Sequence, residues 1–294
     1  MQFASNVYIC TCKLQVKLQL IKVKSIKMTK NILVTGASSG FGLSIANELH
    51  KQGFNVIGTS RYPEKYEAKF PFKMIALDLD AEQSIATFSE RLFREINQLD
   101  VLINNAGFLV AGIAEETPIE LGRQQLETNF WGTIKVTNAI LPHFRKQRFG
   151  KIITIGSIVG LVAFPNAAYY SASKHALEGY FKTLRYELNE FNISVAMIEP
   201  SAFKTSIMDN SSSPIQKIED YNVLRGKLER FTTGTIVRSA EDPIIVAEKV
   251  LKVVQTDKTK FRNTVGKGTA VLINLQHFAN GALEKNVLKQ LNKA

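Results

Sequence analysis

The chain contains the segment Thr35-Gly36-Ala37-Ser38-Ser39-Gly40-Phe41-Gly42 between an apolar run and a helical pattern. Glycine permits a tight turn and lets the backbone approach a ligand closely. A helix N-terminus presents unpaired N–H groups and the positive end of its dipole, which favour a bound phosphate. The segment therefore predicts a pyrophosphate-binding turn, with contacts from Gly36, Ser38, Ser39, Gly40, Phe41 and Gly42. A turn with a purely structural role is the alternative.

Short β-rich runs alternate with helical patterns from residue 31 onward. The predicted strands are residues 32–35, 55–59, 73–77, 101–104, 151–155, 194–198 and 261–265. The predicted helices are residues 42–52, 81–97, 118–147 and 173–190. Most of the strand runs are continuously apolar, which is typical of a parallel sheet covered by helices. The pattern predicts an α/β fold: a single doubly wound, Rossmann-like domain with a mostly parallel seven-stranded sheet and helices on both faces.

The composition excludes several classes of protein. The 294 residues are 45% hydrophobic and 21% charged, which argues against a disordered, collagenous or coiled-coil chain. The formal net charge is +11, but no basic stripe with interleaved aromatic residues appears, so we expect no nucleic-acid partner. Cys10 and Cys12 are the only cysteines, which favours a reducing, cytoplasmic location. No apolar run approaches the ~20 residues of a membrane span, and the four histidines show no metal-ligand spacing.

Residues 1–28 differ from the rest of the chain because they carry five lysines and no acid. We interpret them as a disordered leader or a non-native extension, since Met28 stands directly before the first strand pattern. The polar–apolar alternation at residues 13–20 leaves an added edge strand or a basic membrane-touching arm as alternatives. The remaining residues, 29–294, are predicted to form one domain.

Further polar residues fall where strands are predicted to end. Asn105, Ala106 and Gly107 close the fourth strand, and Ser157 follows the fifth. Open α/β sheets bind ligands at this carboxyl edge. Tyr170 and Lys174 are four residues apart in a helical pattern, so their side chains share one face. Each feature alone has an ordinary structural explanation, but their combination at one edge predicts a catalytic site.

These motifs together resemble those of the short-chain dehydrogenase/reductase family. The match comprises the Thr-Gly-x-x-x-Gly-x-Gly turn, Asn-Asn-Ala-Gly, Tyr-x-x-x-Lys and a serine thirteen residues before the tyrosine. The resemblance implies that Ser157, Tyr170 and Lys174 are catalytic and that Asn129 assists by holding a water in a proton relay. It also implies that Lys174 binds the nicotinamide ribose.

The chemistry explains these residue types. A carbonyl that receives hydride needs a proton donor at its oxygen, and a free tyrosine has a pKa of about 10. We expect the Lys174 ammonium to lower the pKa of Tyr170 so that it becomes an effective acid and base near neutral pH. Ser157 would stabilise the charge that develops on the substrate oxygen.

The nucleotide preference is predicted from the end of the second strand. Arg61 follows this strand, and no acid appears before Glu64 to bind a ribose 2′-hydroxyl. An arginine there accommodates a 2′-phosphate, so we expect NADP(H) to be preferred over NAD(H). The alternative is a solvated surface arginine.

The resemblance supplies the remaining cofactor contacts and the substrate side. It implies adenine contacts from Asp78 with Leu79, and nicotinamide contacts from Pro200 and Thr205. Ser201 replaces the glycine that the family usually has there, which puts the local geometry in question. Residues 203–235 are predicted to form a substrate lid, with core packing of an amphipathic helix as the alternative.

The segment at 265–268 is similar to that of retinol and 17β-hydroxysteroid dehydrogenases, which implies a lipophilic carbonyl or alcohol as the small-molecule substrate. The resemblance further implies a homodimer or homotetramer. Two other functions stay open at this point: an NADP(H)-sensing protein without turnover, and an epimerase or dehydratase of the extended branch of the family.

Overall fold

The computed structural model describes residues 29–66, 68–205 and 217–293. The strands are β1 Asn31–Val34, β2 Asn55–Ser60, β3 Lys73–Ala76, β4 Val101–Asn104, β5 Gly150–Ile155, β6 Ile193–Pro200 and β7 Arg262–Val265. The α-helices of these ranges are α1 Gly40–Lys51, α2 Glu82–Ala86, α3 Phe88–Glu95, α4 Ile119–Leu126, α5 Thr133–Gln147, α6 Ala168–Glu187, α7 Asn222–Phe231, α8 Ile244–Gln255, α9 Thr269–Phe278 and α10 Asn280–Lys293. The interpretation of residues 1–28 lies outside the described residues.

The seven strands form one sheet in the order β3-β2-β1-β4-β5-β6-β7, and every neighbouring pair is parallel. The predicted fold class is therefore confirmed. The order reverses direction between β1 and β4, which is the switch point where doubly wound sheets open a ligand crevice at the carboxyl edge.

Two apolar layers hold the sheet between its helices. Along β1 the side chains alternate, so that Ile32 and Val34 pack on one face and Leu33 on the other. The first layer includes Ile45 of α1 and Val250 of α8, and the second includes residues of α3, α5 and α6. All of these side chains leave water, and each contributes about 1.5–3 kcal/mol of hydrophobic stabilisation.

The four predicted helices differ in their bounds from those observed. The pattern at 81–97 forms two helices, α2 and α3, that meet at Thr87, and the pattern at 118–147 is interrupted by a π-helical turn at Glu127–Gly132. Helix α6 begins at Ala168, so Tyr170 lies inside it. The π turn is associated with side-chain bonds to the backbone, because Thr133 Oγ1 donates to the Asn129 carbonyl over 2.9 Å.

The predicted lid is described only in part. Residues 206–216 lie outside the described residues, whereas the helical pattern that follows them forms α7. Glu116, which is buried, accepts hydrogen bonds from Arg225 of α7 and from the Ile218 N–H, so it fastens α7 to the loop after β4. Across the described residues no helix has the length and hydropathy needed to cross a membrane.

Helix α6 is anchored in the core by Phe181, which is fully buried. We expect Phe181→Ala to lower the free energy of unfolding by about 3–5 kcal/mol, because it removes a large core side chain and leaves a cavity. Tyr186→Ala on the same helix is the control: this side chain is 67% exposed, and we expect a change within about 0.5 kcal/mol. Urea denaturation of both variants measures the difference, and equal losses would contradict the assigned core.

Candidate active site

A cavity of about 620 Å³ opens at the carboxyl edge of the sheet, beside the β1–β4 switch point. It brings together fourteen of the predicted site residues: Gly36, Ser38, Ser39, Gly40, Phe41, Arg61, Asp78, Leu79, Asn105, Ala106, Gly107, Tyr170, Lys174 and Thr205. Gly42, Asn129, Ser157 and Pro200 do not line it directly. All four are buried close to the residues that do line it.

The glycine turn is shaped by close backbone packing. Gly36 and Gly40 have φ values of +65° and +53°, which favour glycine. A Cβ at Gly42 would lie 2.1 Å from the Gly36 carbonyl oxygen, so no side chain fits there. Helix α1 begins after Ser39 with no side-chain cap and no acid in its first turn. Its first N–H groups and dipole are therefore available to an anion in the cavity.

Thr35 and Asn105 join the ends of β1 and β4. The Thr35 hydroxyl accepts hydrogen bonds from the N–H groups of Asn105, at 2.9 Å, and Ala106, at 3.1 Å. In return the Asn105 amide donates to the carbonyls of Thr35 and Gly36. These bonds set the width of the crevice, because they fix the backbone on both of its sides.

Lys174 and Tyr170 enter the cavity from one face of α6. The Lys174 Nζ donates to the Ile155 carbonyl at the end of β5 over 2.9 Å, and it lies 5.7 Å from the centre of the Tyr170 ring. The Tyr170 hydroxyl is hydrogen-bonded to Ser157, which caps the short 3₁₀ turn after β5 and accepts from the Val159 N–H. The structure therefore brings the predicted serine, tyrosine and lysine together.

The expected lowering of the Tyr170 pKa is wrong for this structure. Burial raises the pKa of Tyr170 to about 12, and the hydrogen bond with Ser157 opposes that rise only in part. Burial also lowers the pKa of Lys174 to about 8, against the attraction of the Glu178 charge. A neighbouring ammonium alone would lower the pKa of Tyr170, but loss of water is the larger effect on both groups.

Asn129 lies in the π turn between α4 and α5, and its side chain holds the loop after β4. Its Oδ1 accepts from the Phe108 N–H at 3.0 Å, and its Nδ2 donates to the Phe108 carbonyl at 2.9 Å. Gln125, one turn earlier and fully buried, donates to the same carbonyl and accepts from the Val110 N–H. The two amides therefore clamp this loop beside Gly107.

The adenosine end of the cavity contains Arg61 and Asp78. Arg61 is exposed, and no hydrogen bond or ion pair to its guanidinium is recorded among the described residues. The Asp78 N–H donates to Ser84 Oγ at 2.9 Å, and the Asp78 carboxylate accepts from the Asp80 N–H. These bonds hold the loop after β3 in one conformation, and this loop forms the adenosine end of the cavity.

Ser201 is accommodated without positive φ, and a complementary glycine makes room for it. A Cβ at Gly266, whose φ is +104°, would lie 1.9 Å from Ser201 Oγ. The Ser201 N–H donates to the Val265 carbonyl, which continues the β6–β7 pairing past Pro200. Ser201 therefore fits at the position where the family usually has glycine because Gly266 leaves space for its hydroxyl. Thr205 still lines the cavity.

The roles of Thr35, Gln125 and Glu178 were not predicted. Thr35 opens the Thr-Gly-x-x-x-Gly-x-Gly motif, but the bonds that it and Gln125 make to backbone groups distant in sequence are not marked by any local pattern. Glu178 follows Lys174 by four residues, and this spacing was the available signal for a charge on the same helix face.

The chain belongs to the short-chain dehydrogenase/reductase family. The family model for short chain dehydrogenases matches residues 30–216. The chain is 37% identical to an uncharacterized oxidoreductase of Bacillus subtilis, YusZ, over 90% of this chain and 99% of the relative. It is also 37% identical to a 3-ketodihydrosphingosine reductase of Bacteroides thetaiotaomicron, over 82% of this chain and 89% of the relative.

Solved structures of this family share the fold. A short-chain dehydrogenase from Streptomyces avermitilis superimposes with a TM-score of 0.77 at 29% identity, covering 91% of this chain and 98% of that chain. ElxO with NADP bound superimposes with a TM-score of 0.70 at 25% identity, covering 83% of this chain and 100% of that chain. Relatives of the chain are oxidoreductases, and the family binds a nicotinamide cofactor.

The close packing around Gly42 predicts that one methyl group added at this position destabilises the protein. We expect Gly42→Ala to lower the free energy of unfolding by about 1–3 kcal/mol, because the added Cβ collides with the backbone of Gly36. Gly179→Ala is the control, since its added Cβ meets no atom within 4 Å and alanine favours a helix by about 1 kcal/mol. Thermal melts of both variants check this, and an unaffected Gly42→Ala would contradict the turn geometry.

Proposed function

We propose that this protein is an NADP(H)-dependent oxidoreductase that interconverts a lipophilic carbonyl and its alcohol. The observation that supports this most directly is the placement of Tyr170 and Lys174 in the same cavity as the glycine turn and the N-terminus of α1. A proton donor and a phosphate site thereby share one crevice, as hydride transfer to a carbonyl requires.

The residues present fit a dinucleotide. The turn has no room for a Cβ at Gly42, and the first turn of α1 carries no acid that would repel phosphate. Gly36 and residues 38–41 would hold the pyrophosphate, Asp78 and Leu79 the adenine end, and Asn105, Ala106 and Gly107 the middle of the cofactor. Lys174 would bind the nicotinamide ribose, with Pro200 and Thr205 beside the nicotinamide.

When bound, the nicotinamide supplies or accepts the hydride at the carbonyl carbon. Tyr170 donates its phenolic proton to the carbonyl oxygen, and Ser157 stabilises the negative charge that develops on that oxygen. The Lys174 ammonium favours the tyrosinate that results, because opposite charges attract strongly away from water. Asn129 acts through the loop after β4, which it holds in place by both amide atoms.

The pKa values favour the reductive direction. With a pKa of about 12, the Tyr170 phenol carries its proton at neutral pH and is ready to donate it to a ketone or aldehyde. Oxidation of an alcohol instead requires tyrosinate, whose population grows as the pH rises toward that pKa. We therefore propose carbonyl reduction as the direction that this site favours near neutral pH.

NADP(H) is the proposed cofactor because of the charge around Arg61. Lys65 adds a second cation near this end of the cavity, with its Nζ 4.4 Å from the centre of the Tyr62 ring, and Tyr62 lines the cavity. A planar guanidinium binds phosphate through two parallel donors. The similar structure of ElxO holds NADP, which supports the same choice here.

The apolar residues that follow Ser157 support a lipophilic substrate. Buried Ile158 and Val162 pack with Leu283 of α10, and the partly buried Val159 and Phe164 surround them. This apolar cluster lies directly after Ser157, and one relative is named a 3-ketodihydrosphingosine reductase, which supports a ketone as the substrate class.

We also propose a cytoplasmic, homo-oligomeric enzyme. Large apolar side chains are exposed in the predicted helical segment 118–147, where we expect the interface: Ile119 and Trp131 are 55% and 49% exposed. Burying them against a second copy would stabilise a dimer or tetramer.

Tyr170→Phe tests the proton-transfer role. We expect it to keep NADPH binding but to lower the turnover of ketones and aldehydes by about 10²–10⁴-fold, because the proton donor is lost. NADPH consumption against a panel of lipophilic carbonyls measures this. Tyr169→Phe is the control, since it removes the neighbouring hydroxyl and should leave turnover unchanged. Tight NADPH binding by the wild-type protein with no turnover on any carbonyl would instead favour the sensor function.

Arg61→Gln tests the nucleotide preference. We expect the preference for NADPH over NADH, measured as the ratio of kcat/KM values, to fall by about 10–100-fold, because a charged hydrogen bond contributes about 1.5–3 kcal/mol. Arg94→Gln, in an arginine that is 76% exposed on α3, should leave the ratio unchanged. A wild-type preference for NADH would overturn the assignment.

A further inference from the structure

The Lys174 ammonium is a buried cation that few polar groups stabilise directly. It is 6% exposed, and the one hydrogen bond recorded for it among the described residues goes to the Ile155 carbonyl. A carbonyl oxygen stabilises an ammonium only through its dipole, whereas loss of water disfavours the charge strongly. With a pKa of about 8, the ammonium would begin to lose its proton just above neutral pH.

Glu178 lies one helical turn after Lys174 and is itself buried, with its side chain 8% exposed. Residues at this spacing on a helix have their Cβ atoms about 5–6 Å apart. Its Oε1 has no hydrogen-bond partner among the described residues and lies close to Gly156, where an added Cβ would be 3.3 Å away. Gly156 directly follows Ile155, the residue that holds the ammonium. Glu178 thus places a carboxylate oxygen that has no hydrogen-bond partner beside Gly156, next to the residue whose carbonyl accepts from Lys174.

Arg262 of β7 holds the Glu178 carboxylate in place by a hydrogen bond. Its Nη2 lies 3.0 Å from Glu178 Oε2, and its Nε lies 3.1 Å from Glu199 Oε1 on β6. Glu199 is fully buried, and its other oxygen accepts from the Asn263 N–H. Burial, together with the charge of Glu178, raises the pKa of Glu199 to about 8. Glu199 is therefore mostly neutral at pH 7. Burial raises the pKa of Glu178 as well, and the Arg262 guanidinium opposes that rise and so favours the charged carboxylate.

We propose that Glu178 is a positioning residue that keeps the Lys174 ammonium protonated and directed at the Ile155 carbonyl, with Arg262 holding its carboxylate in place. This inference rests on the proposed function, because it assigns Glu178 a role through the lysine that would bind the nicotinamide ribose. The charged groups that face the pair are Arg262 and Glu199 from the sheet and His175 from α6.

The test is the pH dependence of NADPH affinity, measured from the fluorescence of the bound cofactor between about pH 6.5 and pH 9.5. In the wild-type protein we expect affinity to fall about tenfold as Lys174 loses its proton, since a charged hydrogen bond is lost. Lys174→Met should lack this alkaline fall, which assigns it to the lysine. In Glu178→Gln we expect the fall to move to lower pH by about one unit, with affinity near the wild-type value at the acidic end.

Two further variants separate the charge from the packing. Glu178→Asp keeps a carboxylate and should restore the midpoint most of the way to the wild-type value. Glu187→Gln makes the same chemical change at an exposed residue of α6 and should leave the midpoint unchanged. If Glu178→Gln does not fold, Glu178→Ser removes the carboxylate without adding an amide donor, and the same shift is expected.

A Glu178→Gln profile that coincides with that of the wild type, or that is weakened equally at every pH, would overturn the proposal. Absence of NADPH binding by the wild-type protein at any pH would instead contradict the proposed function, so the two failures are distinguishable.

Discussion

The 2.9 Å hydrogen bond from the buried Lys174 ammonium to the Ile155 carbonyl is the interaction on which the site depends. It joins α6 to the carboxyl end of β5, so the helix that carries Tyr170 is fixed relative to the strand that precedes Ser157. Both groups then reach the crevice that the sheet opens between β1 and β4. The bond adds to the core packing of α6 through Phe181 and holds the Lys174 side chain at the end of β5, beside Tyr170.

Burial determines the electrostatics of this site more than neighbouring charge does. It raises the pKa of Tyr170 and lowers that of Lys174, so each group is displaced toward its neutral form. A neutral phenol is a competent proton donor, whereas a neutral lysine loses the charge that would stabilise the product tyrosinate. The two groups therefore differ in what they need from their surroundings: Tyr170 can donate its proton when burial keeps it neutral, whereas Lys174 needs a nearby anion to stay charged.

The sequence predicted the features that local patterns encode. Continuous apolar runs predicted most of the seven strands. The spacing of Tyr170 and Lys174 predicted that they share one helix face, because the helical period is local. The break at Thr87 and the π turn at Asn129 were not predicted, since they accompany contacts between distant segments, such as the amide bonds of Asn129 to Phe108. Helices α8, α9 and α10 were not among the predicted helices. The pKa of Tyr170 could not be obtained from the sequence, which does not show how much water reaches a side chain.

The contact between Ser201 and Gly266 links two positions that are 65 residues apart. The hydroxyl occupies the volume that any side chain at 266 would need, so neither position can vary freely while the other stays as it is. Restoring glycine at 201 would relieve the steric conflict, although the φ of +104° at 266 would still disfavour other residues. A larger residue at 266 therefore requires both a smaller residue at 201 and a different backbone conformation after β7, so the two positions can change only together.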